Sequence, residues 1–268
     1  MTATTAGEAQ VAFDELLRAV GLSKEQEVGL ATIVARLNNR LPHRPRQLLR
    51  CLSEWLTTHS VDQPTPPLNS VVIGAGPVGL RAAIQLAALG SSVQVLEGRE
   101  GFSRLQVVHL WDVVEADLIE LGVKAIDPSI FAAADLRRAQ VCQLQHSLFK
   151  IALLLGVRVR FGCRVSAVND LPQPLSRRLD VLVDASGARC SLLETLGFTQ
   201  TVALRSAKAL CIVISLQNFR TPEELELRES TWSSQYYQAE FAALHAQGVA
   251  LENFVYYRSE GAFATAAS

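Results

Sequence analysis

Val71-Val72-Ile73-Gly74-Ala75-Gly76-Pro77-Val78-Gly79-Leu80 is the stretch that decides the fold. A β-branched run ends in three glycines spaced G-x-G-x-x-G, and a helical pattern, Pro77 to Leu89, begins directly after them. Each glycine has its own task. Gly74 permits a tight turn out of the strand, Gly76 lets the backbone approach a pyrophosphate with no Cβ in the way, and Gly79 lets the helix pack close to the sheet. The phosphates then lie at the helix N-terminus, where unpaired N–H groups and the positive end of the helix dipole favour an anion without a lysine.

Working outward, Ser92 to Leu96 is a second apolar run, and Glu97 follows it 23 residues after Gly74. That is close to the spacing of about 20 residues at which a carboxylate accepts hydrogen bonds from an adenosine ribose. Strand, helix, second strand and acid together form a βαβ opening for an adenine dinucleotide. The carboxylate would repel a 2′-phosphate, so the resident dinucleotide is expected to be FAD or NAD and not NADP.

On the N-terminal side the pattern is helical. Phe13, Leu16, Leu17 and Val20 recur at helical spacing up to Gly21; Ser23 and Gln26 read as a capping box before the stripe Leu30, Ile33, Val34 and Leu37. Pro42 and Pro45 are read as an interruption, and a third helix carries Leu48, Leu52, Trp55 and Leu56. Gln63-Pro64-Thr65-Pro66-Pro67 is an extended connector. Arg36, Arg40, Arg44, Arg46 and Arg50 are read as a solvated face in preference to a patch for an acidic partner. On the C-terminal side, helices are expected over Asp112 to Leu121 and Leu136 to Leu155. Strands are expected at Arg158 to Phe161, Val181 to Asp184 and within Ala209 to Leu216, while Gly261 to Ser268 shows neither periodicity nor a closing element.

Composition excludes several function classes. The chain has 268 residues, 49% hydrophobic and 19% charged, with a formal net charge of −1, so nucleic acid is not the expected partner. The five cysteines are scattered, with no C-x-x-C pair, which suggests reduced thiols and neither a disulfide framework nor a zinc site. The densest apolar run, Ile151 to Val157, is far shorter than the roughly 20 residues of a membrane span, and the first thirty residues do not read as a signal peptide. A cytoplasmic protein with no membrane partner is therefore expected. No nucleophile elbow, H-E-x-x-H or Walker lysine is present, and the five histidines lack metal-ligand spacing. His146 is read as half-exposed on a helix surface.

Several blocks together resemble the monooxygenase domain of the MICAL family. They are Gly74 to Ala83, Leu96-Glu97-Gly98-Arg99, Phe102-Ser103-Arg104, Val108-His109-Leu110-Trp111, Lys150 to Val157 and Leu251 to Tyr257, and the resemblance spans roughly residues 70 to 258. It implies FAD in a p-hydroxybenzoate-hydroxylase-like fold, NADPH as transient electron donor, and oxidation of methionine sulfur in F-actin. Hydrogen peroxide would form when no acceptor is present. Association with the cytoskeleton follows from the same resemblance; the oligomeric state does not follow from the sequence. The expected fold class is α/β: a Rossmann-type FAD-binding three-layer fold with a helical N-terminal preface (1–60), a proline-rich linker (61–69), the FAD-binding domain (70–200) and a partial substrate domain (201–268).

Carried over by position, Glu97 would hold the adenosine ribose, Arg99 and Arg104 would lie along the FAD, and Gln106 stands where the family has an Asn at the flavin. Guanidinium groups suit such a site because they stay ionised and bond phosphate directionally. The candidate cofactor-binding set is Gly74, Gly76, Pro77, Val78, Gly79, Glu97, Gly98, Arg99, Arg104, Leu105, Gln106 and Val165, with no catalytic residue and no metal ligand assigned. His109 and Trp111 share one loop, and Trp111 is read as packing into the core.

The departures count as well. Asp184-Ala185-Ser186-Gly187 places Ser186 where such enzymes carry an acid before the glycine, Cys142 replaces a basic residue ahead of Gln143-Leu144-Gln145, and Phe263 stands near the place of a family Tyr. The family's returning strand, Gly-Asp motif and flavin-directed helix are not found, so a C-terminally truncated domain is expected. The alternative reading is accordingly a catalytically inert FAD-fold interaction module. A flavin disulfide reductase, which shares the opening motif, would need a redox-active cysteine pair that this chain lacks.

Overall fold

The computed structural model describes residues 5–22, 30–37, 41–60, 67–104, 106–128, 130, 138–172, 178–187, 192–199, 212–227, 230–258 and 262–267. It divides into two units, Met1–Gln200 and Thr201–Ser268.

In the first unit the helices α1 (Ala6–Ala19), α2 (Leu30–Leu37) and α3 (His43–His59) precede strand β1 (Asn69–Ile73). Helix α4 (Pro77–Ala88), strands β2 (Ser92–Leu96) and β3 (Val107–His109), and helices α5 (Asp112–Glu120) and α6 (Val123–Ile126) follow. Strand β4 (Arg138–Gln140), helix α7 (Val141–Leu154), strands β5 (Arg158–Arg160) and β6 (Val181–Asp184) and helix α8 (Leu192–Thr195) complete it. Strands β5, β2, β1 and β6 lie in that order in one sheet, and all three pairings are parallel. Chain order therefore runs outward from β1 to one side and then resumes on the other, which is the topology of a doubly wound fold with its switch point at β1.

Strand periodicity puts successive side chains on opposite faces. Val72, Val93 and Val95 join Leu80, Ala83, Ile84, Leu148 and Ala152 in the main core, and Val71, Ile73 and Leu96 face a second cluster with Val165, Leu171 and Leu192. Sheet and two covering layers are thus built from a near-continuous apolar strand sequence, as expected when both faces are buried. The N-terminal helices add to the first cluster through Leu48, Leu52 and Trp55. Arg81 of α4 ties them in: its Nε and Nη2 donate to the Asp117 carboxylate at 2.8 and 2.7 Å, and its guanidinium lies 5.2 Å from the centre of the Trp55 ring.

The second unit holds β7 (Ile212–Gln217), α9 (Pro222–Glu226), β8 (Ser230–Ser233), α10 (Gln238–Ala246), β9 (Asn253–Arg258) and β10 (Ala262–Ala267). Its sheet is antiparallel in the order β7, β10, β9, β8.

Several sequence expectations change. Pro45 does not interrupt α3; it occupies the first turn, where the missing N–H has no intrahelical partner to lose. The helix expected from Leu136 begins at Val141, because Arg138–Gln140 pairs with Val107–His109 as a two-stranded ribbon. Ala262–Ala267, a stretch of small residues without alternation, pairs on both sides as an inner strand; tertiary pairing overrides its weak strand propensity. Arg36, Arg46 and Arg50 are exposed, in keeping with a solvated face, while Arg36 donates to the carbonyls of Val20 and Gly21, Arg46 to that of Leu41, and Arg50 pairs with Glu54. Arg40, the Ser23 to Gln26 capping box and residues 61–66 of the connector lie outside the described residues.

His146 on α7 is half-buried. Its ring packs edge-on against Phe102 at 5.1 Å, and its Nδ1 is buried without a hydrogen-bond partner among the described residues. Burial first, and the nearby Lys150 second, lower its pKa, with Glu8 opposing weakly. The folded state thus prefers neutral His146, so its contribution to stability is present above the unfolded pKa of about 6.5 and is lost as pH falls below it. Melting curves between pH 7.5 and 5 are expected to show His146→Phe losing less stability on acidification than the wild type. Equal losses would contradict the assignment.

Candidate dinucleotide-binding site

Three parallel strands end at one level. Ile73 is paired with Leu96 and with Asp184, and the ladder continues one residue further, with Gly74 N–H donating to Leu96 C=O, Glu97 N–H to Arg160 C=O and Ala185 N–H to Ile73 C=O, each at 2.8 Å. Gly74, Glu97 and Ala185 are thereby brought side by side at the carboxyl edge of the sheet, where doubly wound folds place their ligands.

The three glycines do three different things. Gly74 has φ +97°, and a Cβ there would lie 2.6 Å from the Ala185 carbonyl oxygen, so both conformation and space require glycine. A Cβ on Gly79 would collide with the Gly74 carbonyl oxygen, which is the close approach of α4 to the strand end. Gly76 differs from both. Its φ of −65° is open to any residue, and a Cβ there would meet nothing within 4 Å. The space above Gly76 is a cradle whose filling would cost the fold nothing.

Gly76 is the N-cap of α4, Pro77 begins the helix, and among the described residues no side chain caps it. The N–H groups at this helix start have no intrahelical acceptor, so they remain available to an anion. Glu97 closes the site from the side. Its half-buried carboxylate accepts the N–H of Ala75 through Oε2 at 2.8 Å and the N–H of Arg99 through Oε1 at 2.9 Å. Two bonds leave lone pairs for further donors, since a carboxylate offers about four acceptor positions.

From Glu97 the chain runs through exposed Gly98 and Arg99 to Phe102, whose ring meets Phe149, Phe161 and His146 edge-on at 5.7, 5.4 and 5.1 Å. That aromatic anchor sets the segment across the start of α7. There the carbonyls of Gln106 and Arg104 accept the N–H groups of Val141 and Cys142 at 2.8 and 3.1 Å, while the residues' side chains stay exposed. Arg99, Arg104 and Gln106 therefore lie on one exposed segment that starts at Glu97. Leu105 lies outside the described residues.

Some candidates lie elsewhere in the site than their side chains suggested. Val165 is 8% exposed, and its side chain packs under the sheet in the second cluster. Val78 is 76% exposed on the first turn of α4. Trp111 does not pack into the core. It is 81% exposed at the N-cap of α5, where extended backbone turns the ring outward. Ser186, at the place of the family acid, is exposed, and its N–H donates to Asp184 Oδ1 at 2.9 Å. Burial raises the pKa of the Cys142 thiol, so this residue supplies no charge where a basic side chain was expected. Gln145 is a functional candidate outside the predicted cofactor set: buried on α7, its Nε2 donates to the Ala75 carbonyl at 2.8 Å. Its sequence signal is its place in the Gln143-Leu144-Gln145 block, which by itself points to no contact. Among the described residues no group of three or more His, Cys, Asp or Glu side chains is placed to hold a metal, and no helix is long and apolar enough to cross a membrane.

This geometry separates the glycines experimentally. Gly74→Ala and Gly79→Ala are each expected to lower stability by about 2 kcal/mol or more through strain and overlap. Gly76→Ala is expected to leave the unliganded melting temperature within about 2 °C of wild type. A comparable loss in all three would contradict the open cradle.

No family model matches the chain. It is 36% identical over 208 residues to the mouse F-actin monooxygenase MICAL1, covering 71% of this chain and 19% of that protein. It is 31% identical over 230 residues to the zebrafish protein-methionine sulfoxide oxidase mical3b, covering 78% of this chain and 13% of that protein. The chain thus spans about a fifth or less of these relatives' lengths. Among solved structures, the tetrameric form of 2-methyl-3-hydroxypyridine-5-carboxylic acid oxygenase superposes with a TM-score of 0.54 at 17% identity, over 75% of this chain and 58% of that one, a likeness of fold alone. With the glycine loop, the paired acid and the strand order already in place, this chain is homologous to the MICAL family of flavin monooxygenases and belongs with it.

Proposed function

We propose that the first unit binds FAD and that the chain serves a MICAL-like monooxygenase reaction, with NADPH as electron donor and protein methionine, on F-actin by family resemblance, as acceptor. The observation that carries this reading is the bond between Glu97 and Ala75, which sets a carboxylate beside an open glycine cradle at a helix N-terminus. Bound FAD supplies the redox and oxygen-transferring chemistry, which is why no triad or metal is needed from the chain.

The chain's own residues bind and orient. The N–H groups at the start of α4 would take the pyrophosphate, and the remaining lone pairs of Glu97 would accept the ribose hydroxyls. The exposed guanidinium groups of Arg99 and Arg104 would lie along the phosphates and flavin, and Gln106 would face the flavin, with the backbone at Val165 near the adenosine. The cytoplasm and the actin cytoskeleton are the matching location.

A second reading is favoured by two residues. Ser186 lacks the charge of the expected acid and Cys142 that of the expected base, so a unit that holds the nucleotide without turnover, an interaction module, is the alternative. Purified protein incubated with FAD separates the two. Retained flavin absorbance with FAD-dependent NADPH oxidation is expected of the enzyme; retention without oxidation indicates the module. Glu97→Gln is expected to weaken FAD binding about tenfold or more, since a neutral amide forfeits charge-assisted bonds to the ribose. Unchanged affinity in that variant would remove Glu97 from the site.

A further inference from the structure

Glu97 is only one of two side chains that hold Ala75. The residue is fully buried, and while its N–H is taken by Glu97, its carbonyl is taken by Gln145 Nε2 at 2.8 Å. Gln145 is 4% exposed, and its Oε1 is buried with no hydrogen-bond partner among the described residues. Only the NH2 of the side-chain amide donates to a carbonyl, so the orientation of the group is fixed by chemistry. An apolar residue of the same length would fill the space without burying an unpaired oxygen. What the amide adds at this position is its N–H.

The effect of that N–H follows from peptide geometry. In a trans peptide the carbonyl and the following N–H point in opposite directions. With the Ala75 carbonyl drawn toward α7, the N–H of Gly76 points away from α7, at the residue that borders the open cradle. The opposite orientation of this peptide would present a carbonyl oxygen, which repels an anion.

We propose that Gln145 is a positioning residue: it locks the Ala75–Gly76 peptide so that the Gly76 N–H is offered to a pyrophosphate group at the start of α4. This rests on the dinucleotide reading above and extends it to a residue that would not touch the ligand. It also gives a role to an amide on an otherwise apolar helix face.

The test uses the whole chain, ADP as probe, and the variants Gln145→Met and Gln145→Glu. Gln145→Met is expected to weaken ADP binding about tenfold, the loss of one oriented donor. In the ligand-free protein the Ala75 carbonyl-carbon and Gly76 amide resonances are expected to move while that of Leu80 stays. Gln145→Glu is expected to bind ADP poorly as a carboxylate and to regain affinity as pH is lowered, when the protonated acid can donate, whereas the wild type shows no such gain. ADP affinity equal to wild type in Gln145→Met, or no pH-dependent gain in Gln145→Glu, overturns the proposal. A wild-type chain that takes up no ADP overturns the dinucleotide reading instead. The Ala75 and Gly76 resonances tell the two apart: unmoved in Gln145→Met, they overturn the positioning role by themselves.

Discussion

The structure depends on one constraint: three strand ends must reach the same level so that the chain leaving β1 can turn under the carboxylate leaving β2. The ladder bonds from Gly74 to Leu96, from Glu97 to Arg160 and from Ala185 to Ile73 enforce that level. Once it is set, Glu97 reaches the Ala75 N–H, Gly79 meets the Gly74 carbonyl, and β6 closes on Gly74 from the other side. Removing a methyl-sized allowance at Gly74 or Gly79 would separate these elements. The site is a consequence of sheet register before it is a matter of side chains.

The N-terminal helices contribute support from behind. Trp55 of α3 lies under the Arg81 guanidinium, and Arg81 bonds both oxygens of Asp117 on α5, so α3, α4 and α5 are tied at one point behind the glycine loop. The pair retains solvent contact, and its direct contribution is on the order of 1 kcal/mol at most. Larger stabilisation comes from fully buried side chains such as Leu52, Leu80 and Leu148, each contributing about 1.5–3 kcal/mol on burial. The helical preface therefore steadies the loop chiefly through apolar packing.

Much of the first unit was legible in the sequence because its signals are local. Val71 to Gly79 combines a strand pattern, forced glycines and a helix start within nine residues, and Glu97 lies at the distance set by one helix and one strand. The acid and the loop do meet, as that spacing implies. What was not legible depends on contacts between distant residues. The short ribbon of β3 and β4 gains its order only by mutual pairing, and Ala262–Ala267 is a strand only because neighbours pair on both sides. Trp111 does not anchor its loop as an aromatic residue there suggests; it is exposed, and the aromatic anchor is Phe102. The role of Gln145 is not legible, because a Gln-Leu-Gln block on a helix announces nothing about the carbonyl its last residue meets 70 residues away.

The crystal structure of this chain with ADP tests the central claim most directly. The account predicts the pyrophosphate against the N–H groups at the start of α4 and the ribose hydroxyls within hydrogen-bond reach of Glu97. A nucleotide bound elsewhere, or a Glu97 that turns away from the bound ribose, would contradict it.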